Sequence, residues 1–350
     1  MSRRALEQLP IPLLEWFGEH ARTLPWRDDP TAYHVWVSEI MLQQTRVAAV
    51  LDYYRRFMEA VPALEDLAGL DEEQLMKLWQ GLGYYSRARN LQKAARQVME
   101  RFGGQFPQSY EDILSLPGVW EYTAGAIASI AFGQPVPAVD GNVLRVVSRI
   151  NADESDITLA ATKKQVRRQL QEIIPVKQAG DFNQAMMELG ATVCLPNGAP
   201  LCDKCPAQTF CRARLEERTH QLPVKAEKKE RRVEQRVVFL LFYKGQVALR
   251  KRPERGLLAG LWEFPNEPVS EENALGRWGI KWESNRPAGT GTHIFSHIEW
   301  RMEGRVVECA SPALPEGWVW ADREELERRY AVPNAFHAFE PAVKEQLGYF

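Results

Sequence analysis

Along residues 13–218 the apolar positions return with a helical period, and clusters of Pro, Gly and Asp interrupt them at short intervals. Positions 33–58 form one such pattern, continued at 64–70, 75–79, 88–98 and 166–174. Many short helices with brief connections predict an all-α domain. No self-similarity recurs at a period of roughly 20 to 50 residues, which excludes a solenoid. The pattern then changes. Residues 225–232, Lys-Ala-Glu-Lys-Lys-Glu-Arg-Arg, carry charge without apolar period and read as a linker. Beyond them 237–242 is a strand-like apolar run, Lys244-Gly245 a turn, and 246–252, 300–308 and 317–320 are further strand candidates. We therefore expect a multi-domain chain: an all-α domain at 1–218, a charged linker at 219–235 and an α+β domain at 236–350. A length of 350 residues gives each domain its own core.

Within the helical part, residues 116–149 are the most informative. Pro117-Gly118 predicts a tight turn between two helical patterns, and outward backbone N–H groups at a helix start suit a phosphate. Asp140 follows a Pro-spaced loop and precedes a helix-period run of Val143, Leu144, Val147 and Ile150, so it is expected at that helix's N-terminus. Its plain role is a cap; its sharper role is a carboxylate held ionised by the helix dipole.

Composition adds bounds. Hydrophobic content of 45% and charged content of 26% are those of a soluble globular protein. A net charge of −2 supplies no global pull toward nucleic acid, so any DNA contact must come from local basic patches. Arg3 and Arg4 precede Leu-Pro-Ile-Pro-Leu-Leu, but Glu15 interrupts and no small-residue cleavage site follows, so no signal peptide is expected. No apolar run reaches membrane-spanning length, and a cytoplasmic protein is expected.

Cys194, Cys202, Cys205 and Cys211 have the spacing C-x7-C-x2-C-x5-C. Four thiolates so close in sequence enclose one metal centre, either zinc or a [4Fe–4S] cluster, and the single C-x2-C pair favours iron–sulfur. Cys309 stands alone and reads as a small core residue.

A Leu-Pro-Gly-Val turn followed by Val-Asp-Gly-Asn and then a four-Cys cluster resembles the helix-hairpin-helix DNA glycosylases of the endonuclease III superfamily. Leu24-Pro-Trp-Arg27, Val37-Ser-Glu-Ile-Met-Leu-Gln-Gln-Thr45, Gly81-Leu-Gly-Tyr-Tyr-Ser-Arg87 and Phe295-Ser-His297 resemble its MutY-like adenine DNA glycosylase branch. These matches spread over nearly the whole chain.

Hydrolysing an N-glycosidic bond needs a proton for the departing base and negative charge beside an oxocarbenium-like sugar. Glu39 has Val35, Trp36 and Leu42 on neighbouring turns, a setting that should raise its pKa, whereas Asp140 should stay ionised. Without the resemblance Glu39 would read as a solvent-facing helix carboxylate. The resemblance implies that Glu39 protonates adenine at N7 and that Asp140 stabilises, or transiently bonds, the sugar carbon. It implies that Tyr122 and Asn142 steady Asp140 and the sugar, and that Leu24, Trp26, Arg27 and Gln184 wall the adenine pocket. Gln44 and Tyr84 would be pushed into the base stack, with Gly118 and Val119 on the DNA backbone. The plainer readings are a packed Trp26, a core Tyr122 or Tyr84 and a helix-polar Asn142.

Strand-cutting relatives place a Lys in the hairpin as a Schiff-base nucleophile, and the matching position here is Tyr122. Base removal without efficient strand cleavage is therefore implied. The C-terminal part resembles the Nudix fold through 237–242, 247–252 and 257–265, yet 271–279 offers no Glu-rich magnesium box, so pyrophosphatase activity is not expected. The implied role of Phe295, Ser296 and His297 is reading 8-oxoguanine, with double-stranded DNA carrying 8-oxoguanine:adenine or guanine:adenine mispairs as the partner of a nucleoid-associated monomer.

Trp120 departs from the family, which usually has Gly there, and a bulky residue resists close backbone approach. Residues 195–201 contain no Lys or Arg; Lys163, Lys164, Arg167, Arg168, Lys204, Arg212 and Arg214 are candidate replacements. Two rivals follow: a glycosylase for thymine or uracil opposite guanine, and a catalytically impaired damage-binding protein.

Overall fold

The computed structural model describes residues 3–226, 230–270 and 273–349, so part of the expected linker lies outside the described residues. Its longer helices are α1 (Pro10–His20), α2 (Ala32–Leu42), α3 (Val47–Ala60), α4 (Glu72–Leu78), α5 (Ser86–Phe102), α6 (Glu121–Ile130), α7 (Gly141–Asn151), α8 (Ala160–Gln171) and α9 (Ala179–Thr192). The strands are β1 (Arg232–Tyr243), β2 (Gln246–Lys251), β3 (Trp262–Glu263), β4 (Asn266–Pro268), β5 (Trp282–Ile294), β6 (Ile298–Cys309) and β7 (Trp318–Ala321). No described helix is long and apolar enough to cross a membrane.

The chain forms two compact units, residues 3–69 with 90–226 and residues 70–89 with 230–349. Segment 70–89 thus departs from the expected boundary at 218. Lys77 Nζ donates to the carbonyls of Leu326 (2.7 Å) and Tyr330 (3.3 Å), and Gln80 Nε2 to that of Val332 (3.0 Å). Long-range bonds of this kind leave no trace in local periodicity.

The first unit is all-α. One face of α7 supplies Val143, Val146, Val147 and Ile150 to a core shared with Leu9 and Leu13 near α1 and with Phe182 and Leu189 of α9. Each such side chain, fully buried, contributes about 1.5–3 kcal/mol. The pattern over 33–58 resolves into α2 and α3, because Gln44 turns left-handed (φ 60°) between them. Gln43, Gln44, Thr45 and Arg46 form a short polar interval that a 3.6-residue period absorbs as one solvent face, which hides the break.

In the second unit the strands form one mixed seven-stranded sheet, ordered β3-β2-β1-β6-β5, with β4 also on β1 and β7 on β2. β1 runs parallel to β6, while β2, β4 and the β5·β6 pair are antiparallel. Strand β5 escaped the sequence reading. It is an edge strand, largely exposed and broken by Pro287, Gly289 and Gly291, so nothing in it alternates. Cys309 is buried in the sheet's second apolar cluster.

Candidate active site

Helix α2 is buried on almost every side, as its continuous apolar run requires: Trp36 and Val37 are inaccessible, and Glu39 is only 6% exposed. Burying a carboxyl without compensation is expensive, and here the Tyr122 hydroxyl donates to Glu39 Oε2 at 2.5 Å. Burial pushes the Glu39 carboxyl up to about 7; the Tyr122 hydrogen bond lowers it, the Asp140 charge raises it and Arg27 lowers it. Tyr122 lies in the first turn of α6 and also meets Met187 Sδ at 3.4 Å. Its hydroxyl is held well above its ordinary range by burial, then by the charges of Glu39 and Asp140. Glu39, Tyr122 and Asp140 therefore share one electrostatic neighbourhood.

Asp140 is the N-cap of α7 and accepts from Val143 N (2.8 Å) and from Asn142 Nδ2 (2.8 Å). The helix dipole is not the dominant influence on Asp140. Burial pushes Asp140 up from its ordinary carboxylate value, outweighing the hydrogen bonds from Val143 and Asn142 and the charge of Arg145. Asn142 is in turn fixed by Arg145, which donates to Asn142 Oδ1 (2.9 Å), Gly190 O (2.8 Å) and Cys194 O (2.8 Å). Gly190 lets α9 approach that closely, since a Cβ there would lie 2.6 Å from Asn142 Cβ. Buried Asn183 sets the loop before Asp140 by bonding Val136 O, Ala138 N and Ser129 Oγ.

Beside this trio, Arg27 Nε donates to Gln184 Oε1 (3.0 Å) and Nη2 to Glu188 Oε2 (2.9 Å). Arg22 Nε meets Glu188 Oε1 at 2.5 Å. Burial would raise Glu188, but the hydrogen bonds and charges of Arg22 and Arg27 prevail and hold it below its usual value. The sequence reading missed Arg22, Glu188 and Asn183. A usable signal existed for Glu188, which lies one helical turn after Gln184 on α9. Leu24 and Trp26 are buried, and Trp26 packs edge-on against Tyr54 with centroids 5.3 Å apart.

At the hairpin, Gly118 needs its freedom twice over: its φ is +75°, and a Cβ would sit 2.6 Å from Asn90 Cβ. Val119 is buried and donates to Leu116 O at 3.1 Å, closing the turn. Trp120 needs no such freedom. Its φ of −109° and ψ of 171° are ordinary extended backbone, and the indole is 75% exposed. Trp120→Gly is accordingly expected to shift the melting temperature by less than about 2 °C in thermal denaturation, as a surface change without strain relief does. Of the candidate replacement cations, Arg167 is paired with Glu121 (3.1 Å), Arg212 with Glu216 (3.3 Å) and Arg214 with Asp203 (3.1 Å).

All four clustered cysteines line one cavity together with Arg149, Arg214, Val146 and Ile150. Arg149 Nη1 donates to Cys194 Sγ at 3.3 Å, and Cys211 Sγ donates to Arg149 O at 3.4 Å. Among the described residues no three His, Cys, Asp or Glu side chains gather tightly enough to hold a single metal ion.

The remaining candidates divide between the units. Gln44 is exposed at its left-handed turn in the first. In the second, Tyr84 (φ 48°, 47% exposed) lines one cavity with Phe295, Ser296, His297 and Asn334. Phe295 turns inward, edge-on to Trp300 at 5.0 Å, leaving Ser296 and His297 exposed at the β5–β6 tip.

Residues 37–176 match the HhH-GPD superfamily base excision DNA repair protein family, and residues 237–339 match the NUDIX domain. The chain is 39% identical to the adenine DNA glycosylase of Homo sapiens, with 90% of this chain and 70% of that protein aligned. The chain belongs to the adenine DNA glycosylase family. The Mus musculus adenine DNA glycosylase is 41% identical, covering 90% of this chain and 74% of its own length. A solved thermostable thymine-DNA glycosylase superposes with a TM-score of 0.55 at 27% identity, over 61% of this chain and 97% of that one. Membership in this family makes the chain a base excision repair enzyme, a DNA N-glycosylase with a helix-hairpin-helix domain and a Nudix-like domain.

Proposed function

We propose that this adenine DNA glycosylase removes adenine paired with 8-oxoguanine or guanine, with Glu39 and Asp140 as its catalytic pair. The hydrogen bond from Tyr122 to Glu39, with the Asp140 charge acting on both, carries this reading. A carboxyl poised near neutral pH can hold a proton for adenine and give it up as the N-glycosidic bond breaks and the bond pair leaves with the base. Asp140 then faces the positive sugar, Asn142 holds its Oδ2, and water bonds to the sugar carbon while its proton passes to the Glu39 carboxylate. Tyr122 offers no amine for a Schiff base, which supports base removal without strand cleavage. Arg27, Gln184, Trp26 and Leu24 are assigned to the pocket for the extruded adenine, Gln44 and Tyr84 to the stack, Gly118 and Val119 to the backbone, and Phe295, Ser296 and His297 to the opposing base.

Cys194, Cys202, Cys205 and Cys211 would hold a [4Fe–4S] cluster. The four thiols line one cavity, and the single C-x2-C pair in their spacing favours a multi-iron centre over a single zinc. When bound, the cluster supplies iron–thiolate bonds that tie this loop together.

The test is base release from duplexes carrying adenine opposite 8-oxoguanine, adenine opposite guanine, and thymine or uracil opposite guanine, with metal analysis of the purified protein. Adenine release from the first two is expected, together with visible absorption and equal amounts of iron and labile sulfide. Release of thymine or uracil instead would overturn the substrate, and a colourless zinc protein would overturn the cluster. Salt-sensitive binding without any release would mark the impaired damage-binding alternative.

A further inference from the structure

The loop that presents Tyr84 is held against its own backbone preference. Gly81, Gly83 and Tyr84 have φ values of 102°, 72° and 48°, and a tyrosine stays left-handed only where its surroundings impose it. Part of that imposition is local. Trp79 Nε1 donates to Gly83 O at 3.1 Å, and Arg87 Nη2 to Leu82 O (3.2 Å) and Gly83 O (3.1 Å), its guanidinium 5.6 Å from the Tyr84 ring centroid.

One bond comes from far along the chain. Asn334 Nδ2 donates to Gly81 O at 3.1 Å. It continues a row in which the carbonyls of Leu326, Tyr330 and Val332 accept from Lys77 and Gln80, so the segment preceding Tyr84 is fastened to the stretch 326–334. Asn334 also lines the cavity shared by Tyr84, Ser296 and His297.

We propose that Asn334 is a positioning residue: by holding the Gly81 carbonyl it sets how Tyr84 is presented to the base that Ser296 and His297 read. The proposal rests on the function assigned above. A wedge and a reading loop address one base pair together only if their relative placement is fixed, because small misplacements are magnified in the transition state. Losing the tie should therefore reduce the difference between 8-oxoguanine and guanine more than it reduces excision itself.

The discriminating variant is Asn334→Asp in the full chain. It keeps the shape, replaces the donor with an oxygen facing a carbonyl, and suits the first turn of the short helix Asn334–Phe339. Two quantities are read: single-turnover adenine excision opposite 8-oxoguanine relative to guanine, and the fluorescence of 2-aminopurine placed beside the base opposite adenine, which reports unstacking. The preference for 8-oxoguanine is expected to fall about fivefold, the loss of one hydrogen bond, with a parallel loss of the unstacking signal. Tyr84→Ala should reproduce both losses, and the double variant should add little further loss. Retention of preference and signal in Asn334→Asp, an equal rate loss on both duplexes, or multiplicative effects in the double variant would each overturn the proposal. Failure of the assigned function is distinguishable, since the unmodified chain would then release adenine from neither duplex while the unstacking signal still decides the role of Asn334.

Discussion

Asp140→Asn is expected to lower adenine release by on the order of a thousandfold or more, the effect of removing a charge that meets a developing positive sugar. Asparagine caps helices as well as aspartate does, so Val143 N–H keeps an acceptor and α7 keeps its start. The variant should therefore fold and still bind a mispaired duplex in an anisotropy titration. Single-turnover excision is the measurement that decides, and a variant that retained near-normal rates would remove Asp140 from the reaction. The burial that raises Asp140 sharpens this expectation. An anion kept in a desolvated site stabilises a nearby cation more strongly than one in water, so its replacement by a neutral amide should be felt in the chemical step.

Glu39→Gln should cost about 10²–10⁴ in rate, the range for loss of a positioned proton donor. The pH dependence identifies the group. With the Glu39 carboxyl at about 7, the proton needed by the departing base is present below that pH and lost above it. Single-turnover excision should hold steady on the acid side of neutrality and fall about tenfold per pH unit well above it. In Glu39→Gln the slow residual rate should lack that descending limb; a variant with the same limb would assign the titration to another group.

The same burial makes an opposite prediction for stability. Between 4.5 and about 7 the folded chain holds a proton on Glu39 that the unfolded chain has released. The stability tied to this proton is full at acid pH and declines as pH rises through about 7. Glutamine escapes that loss and can still accept from Tyr122. The slow Glu39→Gln variant should melt above the unmodified protein at about pH 8, with a smaller difference at about pH 5.

The helical N-terminal part, the strands around 237–252 and 300–320, and the cysteine spacing were all legible as local pattern. Glu39 was legible only through the family resemblance: its apolar neighbours Val35, Trp36 and Leu42 pointed to a raised pKa, but pattern alone left a solvent-facing carboxylate the plainer reading, and burial decided it. Other features were not. Strand β5 has no apolar–polar alternation because most of its residues are exposed on both faces and Pro287, Gly289 and Gly291 interrupt it, and the break at Gln44 is a single dihedral reversal inside an otherwise periodic stretch. Arg22 and Asn334 act through partners more than a hundred residues away, Glu188 and Gly81, and Asn183 reaches the loop before Asp140 at Ala138, 45 residues away.

By itself the sequence determined the fold classes, the helix that begins at Asp140, the four thiols and the residue types that glycosidic hydrolysis demands, because hydrophobic period, capping and ligand spacing act over a few residues. Tertiary structure alone decided that Tyr122 bonds Glu39, that burial overrides the helix dipole at Asp140, and that segment 70–89 belongs with the C-terminal sheet. Those outcomes depend on desolvation and on contacts between distant segments, and both come into being only when the chain has closed on itself.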